Sequence, residues 1–178
     1  MRALTASLLV LALAVPAAAK SVEDTFAGKV MVSDKAYPTS SNSVSAYVKQ
    51  IKKQSKKKFV ENKEKQEWKI YYAAFFKKPV DDLAITMNIY DVSQKPARLV
   101  ESYEQYLSER GQRVIIGKLN LPRTDTGYEA NTKVRLDLEF NGKVIATSTF
   151  TIAGETKKYK GTVDFSEDEP AEGGEKKK

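Results

Sequence analysis

A period of two in the placement of apolar residues restricts the fold of this chain more than any other feature. Such alternation is typical of a β-strand that lays one face on a hydrophobic core. It is clearest in LAITMNIYDV (83–92) and VRLDLEF (134–140), and it recurs in QRVIIGKLNLP (112–122). The side chains predicted to point inward are Leu83, Ile85, Met87, Ile89, Val134, Leu136, Leu138, Phe140, Ile115, Leu119 and Leu121. Turn signals between these runs predict a mainly β, antiparallel β-sandwich.

The stretch WKIYYAAFF (68–76) is apolar on both sides of a predicted strand. One side, predicted to be core, carries Trp68, Ile70, Tyr72, Ala74 and Phe76. The other side carries Tyr71 and Phe75 between lysines, which is typical of a strand covered by a helix or a loop. We favour burial of both faces. The alternative is that Tyr71 and Phe75 form an aromatic contact patch for a ligand.

An amphipathic helix at about 43–54 is predicted just upstream of that stretch. Val44, Tyr47, Val48 and Ile51 recur at i, i+3, i+4 and i+7, and Ser43 is available as the N-cap. The apolar side of this helix can cover the outer face of the strand.

Residues 97–110 fit two elements. Their apolar residues and the terminal Gly111 match a helix, whereas the sandwich needs a strand to connect its neighbours, so we favour an edge strand.

The Asn141-Gly142 pair normally marks a two-residue hairpin loop. That register would place the apolar residues after the turn on the same face as Glu139 and Asp137. A three-residue loop or a bulge gathers the apolar residues on one face instead, because burying each large side chain contributes roughly 1.5 to 3 kcal/mol. The pairs predicted on this basis are Val144 with Phe140, Ala146 with Leu138 and Phe150 with Val134.

The first 19 residues are typical of a secretory signal peptide. Arg2 precedes an apolar run, and Ala17-Ala18-Ala19 fits the small-residue cleavage pattern. The chain contains no cysteine, so neither a disulfide nor a lipoprotein-type anchor is predicted. We therefore expect a periplasmic or secreted protein with one domain at 20–165, no transmembrane segment after cleavage, and a disordered charged tail at 166–178.

Two short runs at opposite ends of the chain share a pattern. FAGKVMVSD (26–34) and YKGTVDFSED (159–168) both read aromatic-x-Gly-x-Val-x-apolar-Ser-acid. Each is predicted to be a short strand entered through a glycine. Our hypothesis is that the two strands flank the same sheet edge.

The residue inventory argues against catalysis. The chain has no histidine and no cysteine, so Ser-His, Cys-His and His-rich or Cys-rich metal sites are excluded. Asp81-Asp82 is interpreted as part of a solvated turn. We expect a non-enzymatic protein without cofactor or metal.

A lysine-rich segment is the one candidate functional region. Nine lysines and three glutamates occur between Lys49 and Lys69, within a chain of formal net charge +7. The densest part comprises Lys52, Lys53, Lys56, Lys57 and Lys58. These charges favour a polyanion, and export argues against nucleic acid. The alternative is a solvated segment that keeps the chain soluble.

The order of WKIYYAAFF, ITMNIYDVS, SERGQRVIIGKLNLP and NGKVIATSTFTIAGE resembles small exported bacterial proteins with an immunoglobulin-like sandwich and no assigned activity. The chain lacks the bridging cysteines of true immunoglobulin domains, and its tryptophan comes early. The expectation is an exported module that contacts a protein in the cell envelope or extracellular space. The alternative is binding of an acidic polysaccharide or lipid surface through the Lys52–Lys58 cluster.

Overall fold

The structure is a computed structural model that describes residues 20–124 and 127–155. These residues form two helices and eight strands. The helices are α1 (Val22–Thr25) and α2 (Val44–Gln54). The strands are β1 (Lys29–Ser33), β2 (Lys58–Val60), β3 (Glu67–Val80), β4 (Ala84–Asp91), β5 (Arg98–Tyr106), β6 (Gln112–Pro122), β7 (Thr132–Phe140) and β8 (Lys143–Ala153).

The strands belong to one mixed sheet, so the predicted immunoglobulin-like sandwich is wrong. Seven strands follow the order β5-β4-β7-β8-β1-β3-β6 and curl strongly into a half-barrel, and the short β2 pairs in parallel with the end of β8. The reason is β1, which pairs antiparallel with β3 and meets β8 in parallel at Lys29 and Thr147. Strands that a sandwich would place in separate layers are thereby hydrogen-bonded into one sheet.

The inner face of the half-barrel holds the main core. It includes the residues predicted to point inward on β4, β6 and β7, with Phe140 half-buried at the margin. Leu83 is the exception, since it is 46% exposed. It precedes β4 and lies in a turn in which its backbone N–H donates to Asp82 Oδ1 at 2.6 Å. The predicted strand therefore began one residue too early, at Leu83 instead of Ala84.

Both faces of β3 are buried between residues 72 and 76, as we favoured. Trp68, Ile70, Tyr72, Ala74 and Phe76 all belong to the inner core. Ala73 and Phe75 belong to a second, outer cluster. Its other buried members are Val22, Phe26, Tyr37 and Ile51, which come from α1, α2 and the segments beside them.

Helix α2 is the predicted cover. Ser43 caps it, because the Ser43 hydroxyl accepts from the backbone N–H of Ala46 at 3.2 Å. Ile51 is fully buried in the outer cluster, whereas Val44 is 47% exposed. The helix therefore anchors itself mainly through its last turns.

Residues 98–106 form the edge strand β5, so the strand alternative is confirmed and the helix is wrong. β5 pairs antiparallel with β4 along its length. Val100 and Tyr103 pack partly against the inner core, while Leu99 and Tyr106 are exposed. This mixed pattern is that of an edge strand at a curled margin.

The hairpin between β7 and β8 combines a two-residue turn with a bulge. Asn141 and Gly142 adopt positive φ, and Glu139 pairs with Val144. The register then shifts, so that Leu138 pairs with Ala146 and Val134 with Phe150, as predicted. The predicted pairing of Val144 with Phe140 is wrong, since Phe140 faces Lys143. Absorbing one residue in the bulge satisfies both the turn preference and the core.

The two glycine-containing runs have different outcomes. FAGKVMVSD supplies β1, which is entered through Gly28 at φ +75°. The second run (159–168) lies outside the described residues, as do the predicted signal peptide at 1–19 and the tail at 166–178.

Buried tyrosines make the fold sensitive to alkaline pH. Burial raises the pKa of Tyr37 and of Tyr72 to about 12, compared with about 10 in an unfolded chain. A raised folded-state pKa contributes stability that is complete below the unfolded pKa and is lost as pH rises through the folded one. We expect the urea midpoint to fall between pH 10 and pH 12.

Circular dichroism at a series of pH values measures this effect. Tyr72→Phe should reduce the loss in that interval more than Tyr106→Phe does, because Tyr106 is 67% exposed and the pKa of its phenol is raised mainly by its hydrogen bond with Glu104. An unchanged midpoint up to pH 12 would contradict the prediction.

Candidate anion-binding cleft

A cleft opens where β1 and β8 separate. The two strands are paired only at Lys29 and Thr147, and beyond that point they diverge. The cleft between them has a volume of about 500 Å³. Its lining residues are Lys29, Val30, Met31, Val32, Ser55, Lys56, Lys57, Thr147, Ser148 and Thr149.

The segment from Ser55 to Lys58 closes the far end of the cleft. The backbone N–H of Lys56 donates to Val32 O, and that of Thr151 donates to Lys57 O, both at 2.8 Å. This segment therefore bridges the diverging strands and brings the second half of the lysine-rich region into the cleft wall.

The position of the bridging segment is set by the end of α2. The Ser55 backbone N–H donates to Ile51 O at 3.0 Å, and the Ser55 hydroxyl lies 2.9 Å from the hydroxyl of Tyr37. Because Ile51 and Tyr37 are both buried in the outer cluster, the chain leaves the helix in a defined direction.

The cleft is lined by cations and hydroxyl groups. Lys29, Lys56 and Lys57 are exposed, so their ammonium groups stay solvated at the cleft wall. Lys56 also contacts Asp34 at 2.5 Å, and this contact lowers the pKa of the Asp34 carboxyl. Neither Lys29 nor Lys57 forms an ion pair with a described residue. The local field is therefore positive.

A buried carboxylate borders the end of the cleft where the strands meet. Asp137 is 4% exposed and accepts from the Thr147 hydroxyl at 2.5 Å and from Arg135 Nε at 2.8 Å. The Arg135 guanidinium lies over the Tyr90 ring at 4.5 Å. Since Arg135 compensates the charge of Asp137, this carboxylate orients Thr147 without cancelling the lysines.

The structure divides the five predicted lysines, all of which are exposed. Lys56 and Lys57 line the cleft, whereas Lys52 and Lys53 lie in the last turn of α2 and Lys58 begins β2. Cations in a last helical turn also complement the helix dipole. Lys52 and Lys53 therefore have a structural role that does not require a ligand.

The predicted aromatic patch is not supported by the placement of its residues. Phe75 is 0% exposed and contacts Phe26 with ring centroids 5.0 Å apart. Tyr71 is half-buried, and Lys69 Nζ lies 5.3 Å from its ring centroid. Burial of this face under a helix, which we favoured, is therefore confirmed at Phe75, and the alternative that made Phe75 a contact residue is wrong.

Sequence reasoning missed the other half of the cleft. Lys29 and the hydroxyl residues Thr147, Ser148 and Thr149 come from segments far from the lysine-rich region. Taken alone, a run of serine and threonine on a strand, such as residues 147–149, indicates only a solvated face. Only the strand order, which the sequence does not show, places these residues beside Lys56 and Lys57.

The described residues contain no group of three or more acidic side chains placed to hold a metal ion. Asp81 and Asp82 are exposed in the β3–β4 turn, where they were predicted. No helix in the described ranges is long and apolar enough to cross a membrane.

Comparison with known proteins adds no family to these observations. No protein-family model matches the chain, and no curated protein matches its sequence at a significant level.

Proposed function

We propose that this chain is a non-catalytic binding module that holds an acidic polysaccharide in the cleft between β1 and β8. The observation that carries the proposal is that three lysines and four serine or threonine residues line one opening of about 500 Å³. Lysines attract carboxylate or sulfate groups, and the hydroxyls of Ser148 and Thr149 can both donate to and accept from a sugar. The Thr147 hydroxyl donates to Asp137 and is left to accept.

A polysaccharide suits this cleft better than a lipid surface does. Proteins that lie on membranes commonly set large apolar side chains beside their lysines. Here the apolar residues of the cleft, Val30 and Val32, are buried in the core, and Met31 is half-buried against α2. The opening therefore presents lysines and hydroxyl groups to a ligand without a large exposed apolar side chain beside them.

The expected affinity per site is modest. An exposed ion pair contributes about 0.2 to 1 kcal/mol and is screened by salt. Three such pairs, with neutral hydrogen bonds of about 0.5 to 1.5 kcal/mol each, give a weak, salt-sensitive site. A repeating ligand that engages several copies of the module would raise the overall binding strength.

Contact with a protein is the second candidate function, in keeping with an exported module. The observation that favours it is an open strand position at the other end of β8, where the sheet lacks a neighbour. The aromatic patch at Tyr71 and Phe75 does not contribute, because Phe75 is buried.

Calorimetric titration with a heparin-derived oligosaccharide tests the cleft. The triple variant Lys29→Gln, Lys56→Gln, Lys57→Gln is expected to weaken binding about tenfold or more, since each lost pair costs up to about 1 kcal/mol. Thr149→Val, which removes a hydroxyl without changing charge, should weaken binding by a smaller factor.

The matched control carries the same change of net charge elsewhere. Lys65→Gln, Lys95→Gln and Arg110→Gln alter three exposed cations in turns away from the cleft. An equal loss in both triple variants would show that net charge alone is responsible and would overturn the proposal. Binding to phosphatidylglycerol vesicles but not to the oligosaccharide would overturn it in favour of a lipid surface.

A further inference from the structure

The half-barrel has an open strand position next to the start of β1. β1 occupies the place between β3 and β8 only from Lys29 onward. At Gly28 the chain makes its last contacts with both neighbours, since Gly28 N–H donates to Phe75 O at 2.7 Å and Gly28 O accepts from Thr147 N–H at 3.2 Å. The residues before Gly28 leave the sheet and form α1.

The backbone on both sides of this open strand position lacks a partner strand there. On β3, the pairing with β1 ends at Phe75, and the pairing with β6 shifts between Phe75 and Val80. On β8, Lys143, Val144 and Ala146 pair with β7 on one side, and among the described residues no strand pairs with them on the other side. At Lys29, where β1 still fills the place, β3 and β8 are two strand spacings apart, about 9.6 Å.

The open strand position is lined by apolar and basic residues. It has a volume of about 470 Å³, with an apolar floor and a basic rim. Val80 belongs to the inner core, and Phe140 and Ile145 pack partly against it. The other lining residues are Lys77, Lys78, Pro79, Asn141, Lys143 and Val144.

We propose that residues 161–168 of a second copy of this chain add a strand at the open strand position. The segment GTVDFSED has the same pattern as GKVMVSD (28–34), which already forms β1 between the same two neighbours. In β1, Val30 and Val32 point into the core. The corresponding residues, Val163 and Phe165, would cover the floor formed by Val80, Phe140 and Ile145.

Charge complementarity supports the same occupant. Lys77, Lys78 and Lys143 surround the open strand position. The segment and its continuation supply acidic side chains at Asp164, Glu167, Asp168 and Glu169. An acidic segment that enters this position pairs with cations that have no ion-pair partner among the described residues.

Chain length favours a second copy over the same copy. Val144 lies about 30 Å from Ala153 along β8, at 3.3 Å per residue. Glu155 is held by Arg123, whose Nη2 donates to Glu155 O at 2.7 Å. The eight residues from Glu155 to Val163 span at most about 29 Å when fully extended. The direct line beside β8 is also occupied by β2, the bridging segment and β1.

The association should be weak. One short strand buries less than the roughly 1,200 Å² of a standard interface. If two copies exchange the segment reciprocally, both open positions are filled and the dimer closes on itself.

Cysteine cross-linking tests the contact directly, because the chain contains no cysteine of its own. The single variants Val144→Cys and Asp164→Cys, mixed and mildly oxidised, are expected to form a disulfide-linked pair. The control replaces Val144→Cys with Val60→Cys, a 76% exposed position on β2 at the opposite end of β8. Equal yields from the two mixtures would overturn the proposal.

Charge-reversal variants, whose self-association is measured by sedimentation velocity, provide a second test. Lys77→Glu with Lys143→Glu, or Asp164→Lys with Asp168→Lys, should each abolish concentration-dependent association. Mixing the two double variants should restore it, because each segment then meets an opposite charge. A chain that stays monomeric at every concentration would overturn the proposal. So would a disulfide that forms within one monomeric chain of the Val144→Cys, Asp164→Cys double variant.

Discussion

Replacing Trp68 with alanine is expected to lower the free energy of unfolding by about 3 to 5 kcal/mol, as for other fully buried aromatic residues. Trp68 is 0% exposed in the inner core, and its indole N–H donates to Ala153 O at 2.9 Å. The substitution therefore opens a cavity and removes the tie between β3 and the end of β8. Urea unfolding followed by circular dichroism measures the loss.

Two further variants separate the causes. Trp68→Phe keeps an aromatic ring but leaves Ala153 O without its donor, so it should cost less than Trp68→Ala. Val60→Ala, at a 76% exposed position, should change stability by no more than about 0.5 kcal/mol. A loss below about 1 kcal/mol for Trp68→Ala would contradict the assignment of Trp68 to a close-packed core.

The second large effect concerns the largely buried ion pair between the side chains of Glu61 and Arg123. Their side chains are 6% and 12% exposed, and Arg123 Nη1 contacts Glu61 Oε2 at 2.8 Å. Arg123→Met leaves the Glu61 carboxylate buried without its cation, which should cost about 3 to 5 kcal/mol. Chemical denaturation of the variant gives the value.

A double variant tests whether the stranded charge causes the loss, and an exposed ion pair serves as the control. Adding Glu61→Leu to Arg123→Met removes the stranded charge and should recover much of the loss. Lys63→Met breaks the exposed pair that Lys63 forms with Glu155 and should cost at most about 1 kcal/mol. If Arg123→Met and Lys63→Met had equal effects, burial of the Glu61–Arg123 pair would not matter for stability.

The face that each residue presents could be predicted from the sequence, because alternation depends only on strand geometry. Ile85, Met87 and Ile89 were identified in this way, and so were the two sides of β3. The pattern did not mark the start of β4, which begins at Ala84, one residue after Leu83. A bulge near this turn could be predicted from the burial of several side chains, but its position after Val144 could not, since Phe140 pairs with Lys143.

Strand order could not be predicted, and it decided the fold. The parallel contacts of β1 and β2 with β8 join segments separated by about ninety to one hundred and twenty residues, and no local pattern specifies such pairing. Without β1 between β8 and β3, the same alternating strands would fit the sandwich that we expected.

The candidate cleft was half predictable for the same reason. Lys56 and Lys57 belong to a local charge cluster that is visible in the sequence. Lys29 and Thr149 join them only through the separation of β1 and β8. The aromatic residues failed as a site because the cover over Phe75 comes from two helices, one of which, α1, has only four residues.

Burial of both faces of β3 has a consequence for the chain before it folds. The run YYAAFF is uncharged, rich in aromatic residues and free of proline, which is the composition of a segment prone to cross-β aggregation. In the native state, β1, β6 and the helices shield it. Lys69 precedes the run, and Lys77, Lys78 and Pro79 follow it, so gatekeeper residues stand at both ends while it is still uncovered.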